Sequence, residues 1–213
     1  MRVRRIDTTP VCGPYAAMTR KQNVDAIGAF FLVGFALHLA FNQVVVKVTN
    51  GGFEPVFLAA LRSFGAALIL LGWMRLRGIS ISLPRSSIVG GVLSGLFFAF
   101  EFMCLFIALD LTTVSRASVI FYSMPVWLTI AAHFMLPGEQ MNRGKVIGLA
   151  LAMIGVAIAV ANRGGGTASL LGDILALAAA MLWAGIVICV RATPLREVAP
   201  AQQLLWQLII STP

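Results

Sequence analysis

Two opposite charges inside apolar stretches are the residues of this sequence best placed to do chemistry. Arg62 and Glu101 each lie roughly 10 to 12 Å from the same predicted end of their helices, so a charge pair between them is expected. Either charge alone in hydrocarbon would be costly. The pair would either hold two helices together, which is the favoured role, or let Glu101 change protonation as a substrate moves.

Hydrogen-bonding side chains also recur at helical spacing inside the apolar stretches. His38 and Asn42 share one face of a predicted helix, as do Ser118 and Tyr122. A polar face in such a segment is expected to contact protein or a cavity, so these residues are candidates for lining a substrate cavity. Trp183, near the middle of its stretch, is a further candidate. The alternatives are that the polar groups bond neighbouring backbones and that Trp183 packs against a helix or lipid.

Three further residues of these stretches are predicted to be structural. Pro125 falls in the middle of its stretch and predicts a helix kink, which lipid tolerates where neighbouring helices satisfy the freed carbonyl. Arg116, near one end of the same stretch, is expected to extend to the membrane interface, and attracting anionic groups is the alternative. His133 is expected at the opposite interface.

Motifs for catalysis, cofactors and metals are missing from the sequence. No nucleotide-binding glycine loop, HExxH motif or serine-nucleophile motif occurs, and the run Gly164–Gly166 lacks the Lys-Ser/Thr of a phosphate loop. The cysteines Cys12, Cys104 and Cys189 lie far apart, which disfavours a disulfide framework or a zinc site. No catalytic residue, metal or cofactor is therefore predicted, and an enzyme is not expected.

Composition places the chain in a membrane. Of its 213 residues, 59% are hydrophobic and 11% are charged, and the mean hydropathy is +0.92. Soluble domains carry about 25% charged residues. The net charge of +8 lies in short gaps between apolar runs and forms no patch, so nucleic acid is not an expected partner.

The apolar runs predict an all-α fold, a polytopic bundle of transmembrane helices. A seventh run begins near Ala201 and is too short to cross the bilayer. The six runs of full membrane length cover, approximately, Ala26–Val46, Pro55–Trp73, Ile88–Leu109, Val114–Leu136, Val146–Ala161 and Leu171–Val190.

The positive charges predict the orientation. If the N-terminus is cytoplasmic, the predicted outer loops hold only Lys47 and Arg163, while most of the 16 Lys and Arg residues lie inside. The predicted location is a cell membrane of the bacterial inner-membrane type. Residues 1–24 read as a basic cytosolic arm without a cleavable signal peptide, and Met18 is an alternative start.

A faint internal repeat adds to this picture. Asp25 and Asp173 open the first and sixth spans, and Pro55 and Pro200 open the spans that follow them. A repeat of five spans is odd-numbered, so its second copy must enter the membrane from the opposite side. The glycine-rich segment 162–170 is the expected flexible linker between the copies.

One stretch of the chain resembles a known family. In order and spacing it is similar to the C-terminal part of an EamA repeat, the unit of the drug/metabolite transporter superfamily. It departs from that pattern at Pro137, where Leu is usual, and at Lys145, where Gln is common. The matching residues are Ala108-Leu109, Ser115–Ser118, Pro125, Gly138-Glu139 and Gly148.

The resemblance implies a domain organisation and a function. A first repeat of five helices covers 25–161, after the arm at 1–24 and before the linker at 162–170, and 171–213 holds the start of a second repeat. Members of this family are secondary transporters that move small metabolites, amino acids or drugs by alternating access, and export is the expected direction. We expect a complete parent protein to transport and these residues alone not to do so.

Other functions are also compatible with the sequence. The chain is alternatively an inactive truncated product or a non-transporting membrane partner subunit, and a membrane-embedded enzyme is a third option. The expected partners are a small-molecule substrate, the lipid bilayer, and either a second copy of the chain or a missing C-terminal half.

Overall fold

The computed structural model describes residues 26–52, 54–136, 141–161 and 169–212. Within these residues the chain is helical and contains no strand, which confirms the predicted all-α class. Short 3₁₀ turns lie at Arg85–Ser87 and Pro194–Glu197. The helices are α1 Ala26–Asn50, α2 Pro55–Leu76, α3 Ile88–Leu111, α4 Val114–Phe121, α5 Met124–Met135, α6 Arg143–Ala161, α7 Leu170–Ala192 and α8 Pro200–Ile210.

The helix lengths confirm a multi-pass membrane protein. The fifth predicted span lies within α6, and the predicted incomplete seventh corresponds to α8, which has 11 residues. Five segments of the described chain are long and apolar enough to cross a membrane: Ile27–Asn50, Pro55–Leu76, Arg85–Leu111, Val114–Met135 and Leu170–Ala192.

The chain divides into two compact units, residues 1–39 and 40–213. The described part of the first unit is the N-terminal portion of α1. Its large side chains Phe30, Phe31 and Phe35 are exposed, which is the surface expected of a helix that contacts lipid.

In the second unit α7 is the central helix, and α3, α4 and α5 pack against it. Small side chains make this close packing possible, because Ala176, Ala179, Ala180 and Ala184 are all buried. The first helix after the predicted linker is therefore surrounded by helices of the predicted first repeat.

Glycines allow a second close approach, between α3 and α8. A Cβ atom on Gly95 would lie 2.5 Å from Cδ1 and 2.9 Å from Cβ of Ile210, so only glycine fits there without movement. The glycines of α6, Gly144 and Gly148, share a helix face with different surroundings. A Cβ on Gly148 would meet nothing within 4 Å, because this face of α6 is open in the described structure.

Gly95→Ala is expected to destabilise the bundle. The added methyl pushes α8 away from α3 and should lower the free energy of unfolding by about 1 to 2 kcal/mol, measured by thermal unfolding in detergent. The matched control is Gly155→Ala on the open face of α6, where a Cβ meets nothing within 4 Å. That change should leave stability unchanged or raise it by up to about 1 kcal/mol. Equal effects of the two substitutions would contradict the packing described here.

Candidate substrate-binding site

The fourth membrane span is interrupted near its middle. α4 ends at Phe121 and α5 begins at Met124, with Pro125 in its first turn. Proline has no N–H to donate to the carbonyl four residues earlier, so the helical ladder cannot continue through this position. The interruption lies where a kink was predicted.

Ser123 stabilises the interruption from inside the protein. This residue is 3% exposed, and its hydroxyl donates to the Ile120 carbonyl at 2.6 Å. The same oxygen accepts the indole N–H of Trp127 at 3.1 Å. One buried hydroxyl therefore bonds a carbonyl in the last turn of α4 and fixes an aromatic side chain on α5.

A polar cluster joins α1 to α4 beside the interruption. Gln43, which is 4% exposed, donates from Nε2 to the Tyr122 hydroxyl at 3.5 Å. The Ser118 hydroxyl is within reach of Gln43 Oε1 and of the Val114 carbonyl, and having one proton it donates to one of them at a time. Two residues predicted as cavity-lining, Ser118 and Tyr122, are thus brought together by Gln43.

Gln43 was missed by the sequence analysis, which selected its neighbour Asn42. A signal was present, because Gln43, Lys47 and Asn50 recur at four- and three-residue spacing and therefore share a helix face. His38 and Asn42 were selected as candidates and Gln43 was not, although Gln43 forms the contact with α4.

Two more residues of this face anchor α1 to the end of α3. The Lys47 ammonium donates to the carbonyls of Asp110 at 2.9 Å and Thr112 at 3.2 Å. Asn50 donates from Nδ2 to the Phe106 carbonyl at 3.0 Å. The last carbonyls of a helix have no partner within it, and a cation near them is favourable. These bonds also explain why α1 extends beyond its predicted end at Val46 to Asn50.

Arg116, which was predicted to extend to the membrane interface, is paired with a residue of another helix. Its guanidinium forms a bidentate ion pair with Asp173 of α7, with Nε to Oδ1 at 2.9 Å and Nη2 to Oδ2 at 2.7 Å. Both side chains are 10% exposed. The planar guanidinium matches a carboxylate at both nitrogens, so the pair ties the start of α4 to the start of α7.

The predicted pair of Arg62 and Glu101 is only partly formed. Glu101 is 2% exposed, and its charge is close enough to interact with that of Arg62. In the described part of the chain no contact ion pair joins them. The guanidinium carbon of Arg62 instead lies 4.2 Å from the centroid of the Phe102 ring, a cation–π contact.

An apolar cavity of about 550 Å³ lies between α3, α5 and α7. Trp127, held by Ser123, is part of its wall. Trp183 is not in that wall and packs against a buried cluster that includes Leu105 and Phe106. The lining residues are Leu93, Phe97, Trp127, Ile130, Ala131, Met135, Met181, Ala184, Gly185, Ile188, Cys189, Ala192 and Thr193.

Asn42 and Gly148, two other predicted residues, are not among the contacts of this site, and His38 belongs to the first compact unit. His38 is exposed on α1, Asn42 is half-buried, and Gly148 is exposed on α6. Gly138 and Glu139 lie outside the described residues. The predicted roles of these positions stay predictions.

Metal-binding side chains do not cluster within the described ranges, where no group of three His, Cys, Asp or Glu residues could hold an ion. His133 has another role, because its Nδ1 accepts the backbone N–H of Met141 at 3.2 Å. That bond joins the end of α5 to the residues that precede α6.

Together these features identify the general class of the protein. Several apolar helices of membrane length, with polar groups paired inside the bundle, make the chain a multi-pass helical membrane protein. The model of the EamA-like transporter family matches residues 26–161, and the chain belongs to that family.

Two relatives show how far the likeness extends. A Bacillus subtilis (strain 168) protein named "Uncharacterized transporter YoaV" is 23% identical over 155 residues, covering 71% of this chain and 53% of that protein. A solved structure described as "Crystal structure of protein" is 24% identical with a TM-score of 0.56, covering 84% of this chain and 63% of the other, and shows the same fold. The chain spans between half and two thirds of the length of these relatives.

Removing one partner of the Arg116–Asp173 pair is expected to destabilise the bundle. Arg116→Gln leaves a nearly buried carboxylate without its partner and should lower the free energy of unfolding by about 3 kcal/mol, measured by thermal unfolding in detergent. The exchange Arg116→Asp with Asp173→Arg should recover part of the loss.

A matched control is the exposed pair Arg196–Glu197, at 3.8 Å with side chains 69% and 74% exposed. Arg196→Gln should change stability by less than about 1 kcal/mol, because solvent screens that pair. A loss at Arg116 no larger than the loss at Arg196 would contradict the structural role of the buried pair.

Proposed function

We propose that this protein is a secondary transporter that moves small polar metabolites, such as amino acids, across a cell membrane by alternating access. The observation that carries the proposal is the interruption of the fourth span near its middle, with the hydrogen-bonding side chains of Tyr122 and Ser123 at the break. Transporters commonly form their sites from discontinuous helices near the bilayer midplane, because the freed backbone and side-chain groups can bind a substrate there. A purely structural bundle has no need of such a break.

The cluster around Gln43 is the proposed polar contact for the substrate. Tyr122 is 40% exposed, and its bond from Gln43 is long, at 3.5 Å, so both groups can exchange partners with a ligand. Gln43 offers an amide donor and acceptor, and Ser118 and Tyr122 offer hydroxyls. Such a set suits ammonium, carboxylate, amide or hydroxyl groups on a small molecule.

The apolar cavity beside α5 supplies the other half of the site. Trp127 and Phe97 give it aromatic surface for a side chain or ring of the substrate. The turn at Tyr122–Ser123 is the hinge about which α5 and its wall of the cavity would move. Movement there would open the site to each side of the membrane in turn.

In this proposal the protein that transports contains further helices besides α1 to α8. Both relatives are substantially longer than the part of them that this chain matches. In an inverted-repeat transporter the site lies at the interface of two repeats. Further sequence or a second copy of the chain would supply the facing helices, and export is the direction that we expect.

Transport is tested with the product of the complete open reading frame in proteoliposomes. Each standard amino acid, radiolabelled, is offered separately, and at least one is expected to accumulate above protein-free vesicles. Gln43→Ala should reduce the initial rate about tenfold, since losing one or two hydrogen bonds to a substrate costs about 1.4 kcal/mol.

Arg196→Gln is the matched control, because the Arg196 side chain is exposed and its ion pair with Glu197 involves no residue of α1 or α4. It should retain the full rate. Uptake that is equal in wild type and Gln43→Ala would contradict the site. No accumulation of any amino acid would favour the partner-subunit or inactive-product reading.

The predicted orientation has its own test by cysteine labelling. Gly52 lies in the exposed turn after α1 and Arg77 in the exposed turn after α2. The substitutions Gly52→Cys and Arg77→Cys, made separately, place a thiol in each turn. In a background without native cysteines, a membrane-impermeant maleimide on intact cells should label position 52 and leave position 77 unlabelled until the cells are broken. The opposite pattern would reverse the proposed orientation with a cytoplasmic N-terminus.

A further inference from the structure

The two buried carboxylates of the described chain have different surroundings. Asp173 is 8% exposed and receives two nitrogens of Arg116. Glu101 is 2% exposed, and no side chain or backbone group in the described ranges donates a hydrogen bond to its carboxylate. Asp173 therefore has the partners that a buried anion needs, and Glu101 does not.

Few charged groups face Glu101. Arg62 on α2 interacts with it electrostatically, and Cys104 lies one turn further along α3. No residue of α8 is ionisable. The ionisable residues of α7 are Asp173 in its first turn and Cys189 and Arg191 in its last turn, and the Cys189 thiol donates to the Gly90 carbonyl at 3.4 Å.

The other elements that contact α3 add no free charge near its middle. On α4, Arg116 is bonded to Asp173, and the hydroxyl of Tyr122, which follows that helix, accepts a bond from Gln43. The 3₁₀ turns Arg85–Ser87 and Pro194–Glu197 pack near the N-terminal end of α3. Arg62 is thus the main counter-charge available to Glu101.

Arg62 has two possible partners. Its guanidinium stacks on the Phe102 ring at 4.2 Å, and Phe102 is the residue next to Glu101. Arg62 is exposed on α2 and has rotamer freedom, so a small movement would bring it from the ring to the carboxylate. When Arg62 stacks on the Phe102 ring, protonation of Glu101 avoids a buried carboxylate without a counter-charge. When Arg62 pairs with the carboxylate, Glu101 can release its proton.

From this geometry we infer that Glu101 is the proton-binding group that couples transport to a pH gradient, an inference that rests on the proposed transport function. Glu101 takes one proton from water on one side and releases the same proton on the other. A buried site of this kind has room for a proton, whereas the substrate needs the larger space beside the interruption. Motion of α2 relative to α3 then links protonation to the transport cycle.

Protonation is tested without any substrate by infrared spectroscopy of the purified protein between acidic and alkaline pH. All carboxyls contribute to a protonated-carboxyl band that titrates, and Glu101→Gln should lose the component of that band at the frequency of a carboxyl in apolar surroundings. The matched control Glu54→Gln removes an exposed carboxylate at the start of α2 and should keep that component. Glu101→Asp, which keeps a carboxyl at a changed depth, should keep that component with a changed midpoint. Identical spectra for wild type and Glu101→Gln would overturn the inference.

Coupling is tested in proteoliposomes with a transported amino acid and the membrane potential collapsed by potassium and valinomycin. A gradient of one pH unit should shift the wild-type accumulation ratio about tenfold, and Glu101→Gln should lose that shift while still exchanging labelled for unlabelled amino acid. Equal shifts in both proteins would overturn the inference. If no amino acid is transported but the infrared band titrates and depends on Glu101, the proton site stands and the proposed function fails.

Discussion

The cost of an unpaired polar group in hydrocarbon is the constraint on which this structure depends. Lipid offers no hydrogen bonds, so a polar side chain within the membrane is costly unless it finds a partner in the chain itself. Lys47 meets this demand by donating to carbonyls at the end of α3, and Arg116 meets it by pairing with Asp173. These contacts decide which helices are neighbours, because apolar faces alone would pack against lipid equally well.

The helices themselves were readable from the sequence. Membrane-length apolar runs and flanking prolines at Pro55 and Pro200 indicated where helices begin, since proline is favoured in a first turn. The end of α1 was placed too early because Lys47 and Asn50 look like loop residues until the carbonyls that they bind are known. A helix end fixed by tertiary contacts leaves little signal in local hydropathy.

The polar site was readable only in part. Ser118 and Tyr122 were found because they share a helix face within one stretch. Gln43 was missed although it adjoins Asn42, because adjacent helical residues point about 100° apart and only the fold decides which of them faces α4. The partner of Arg116 was beyond local reasoning, since Asp173 follows it by 57 residues and lies beyond the linker.

The central position of α7 also has a consequence for biosynthesis. Ribosomes release the helices in chain order, so α3, α4 and α5 enter the bilayer before the helix that they surround exists. During that interval Arg116 has no Asp173 to bind, and the alanine face of α7 is not there to close the bundle. Final packing of α3, α4 and α5 therefore waits until α7 has been inserted.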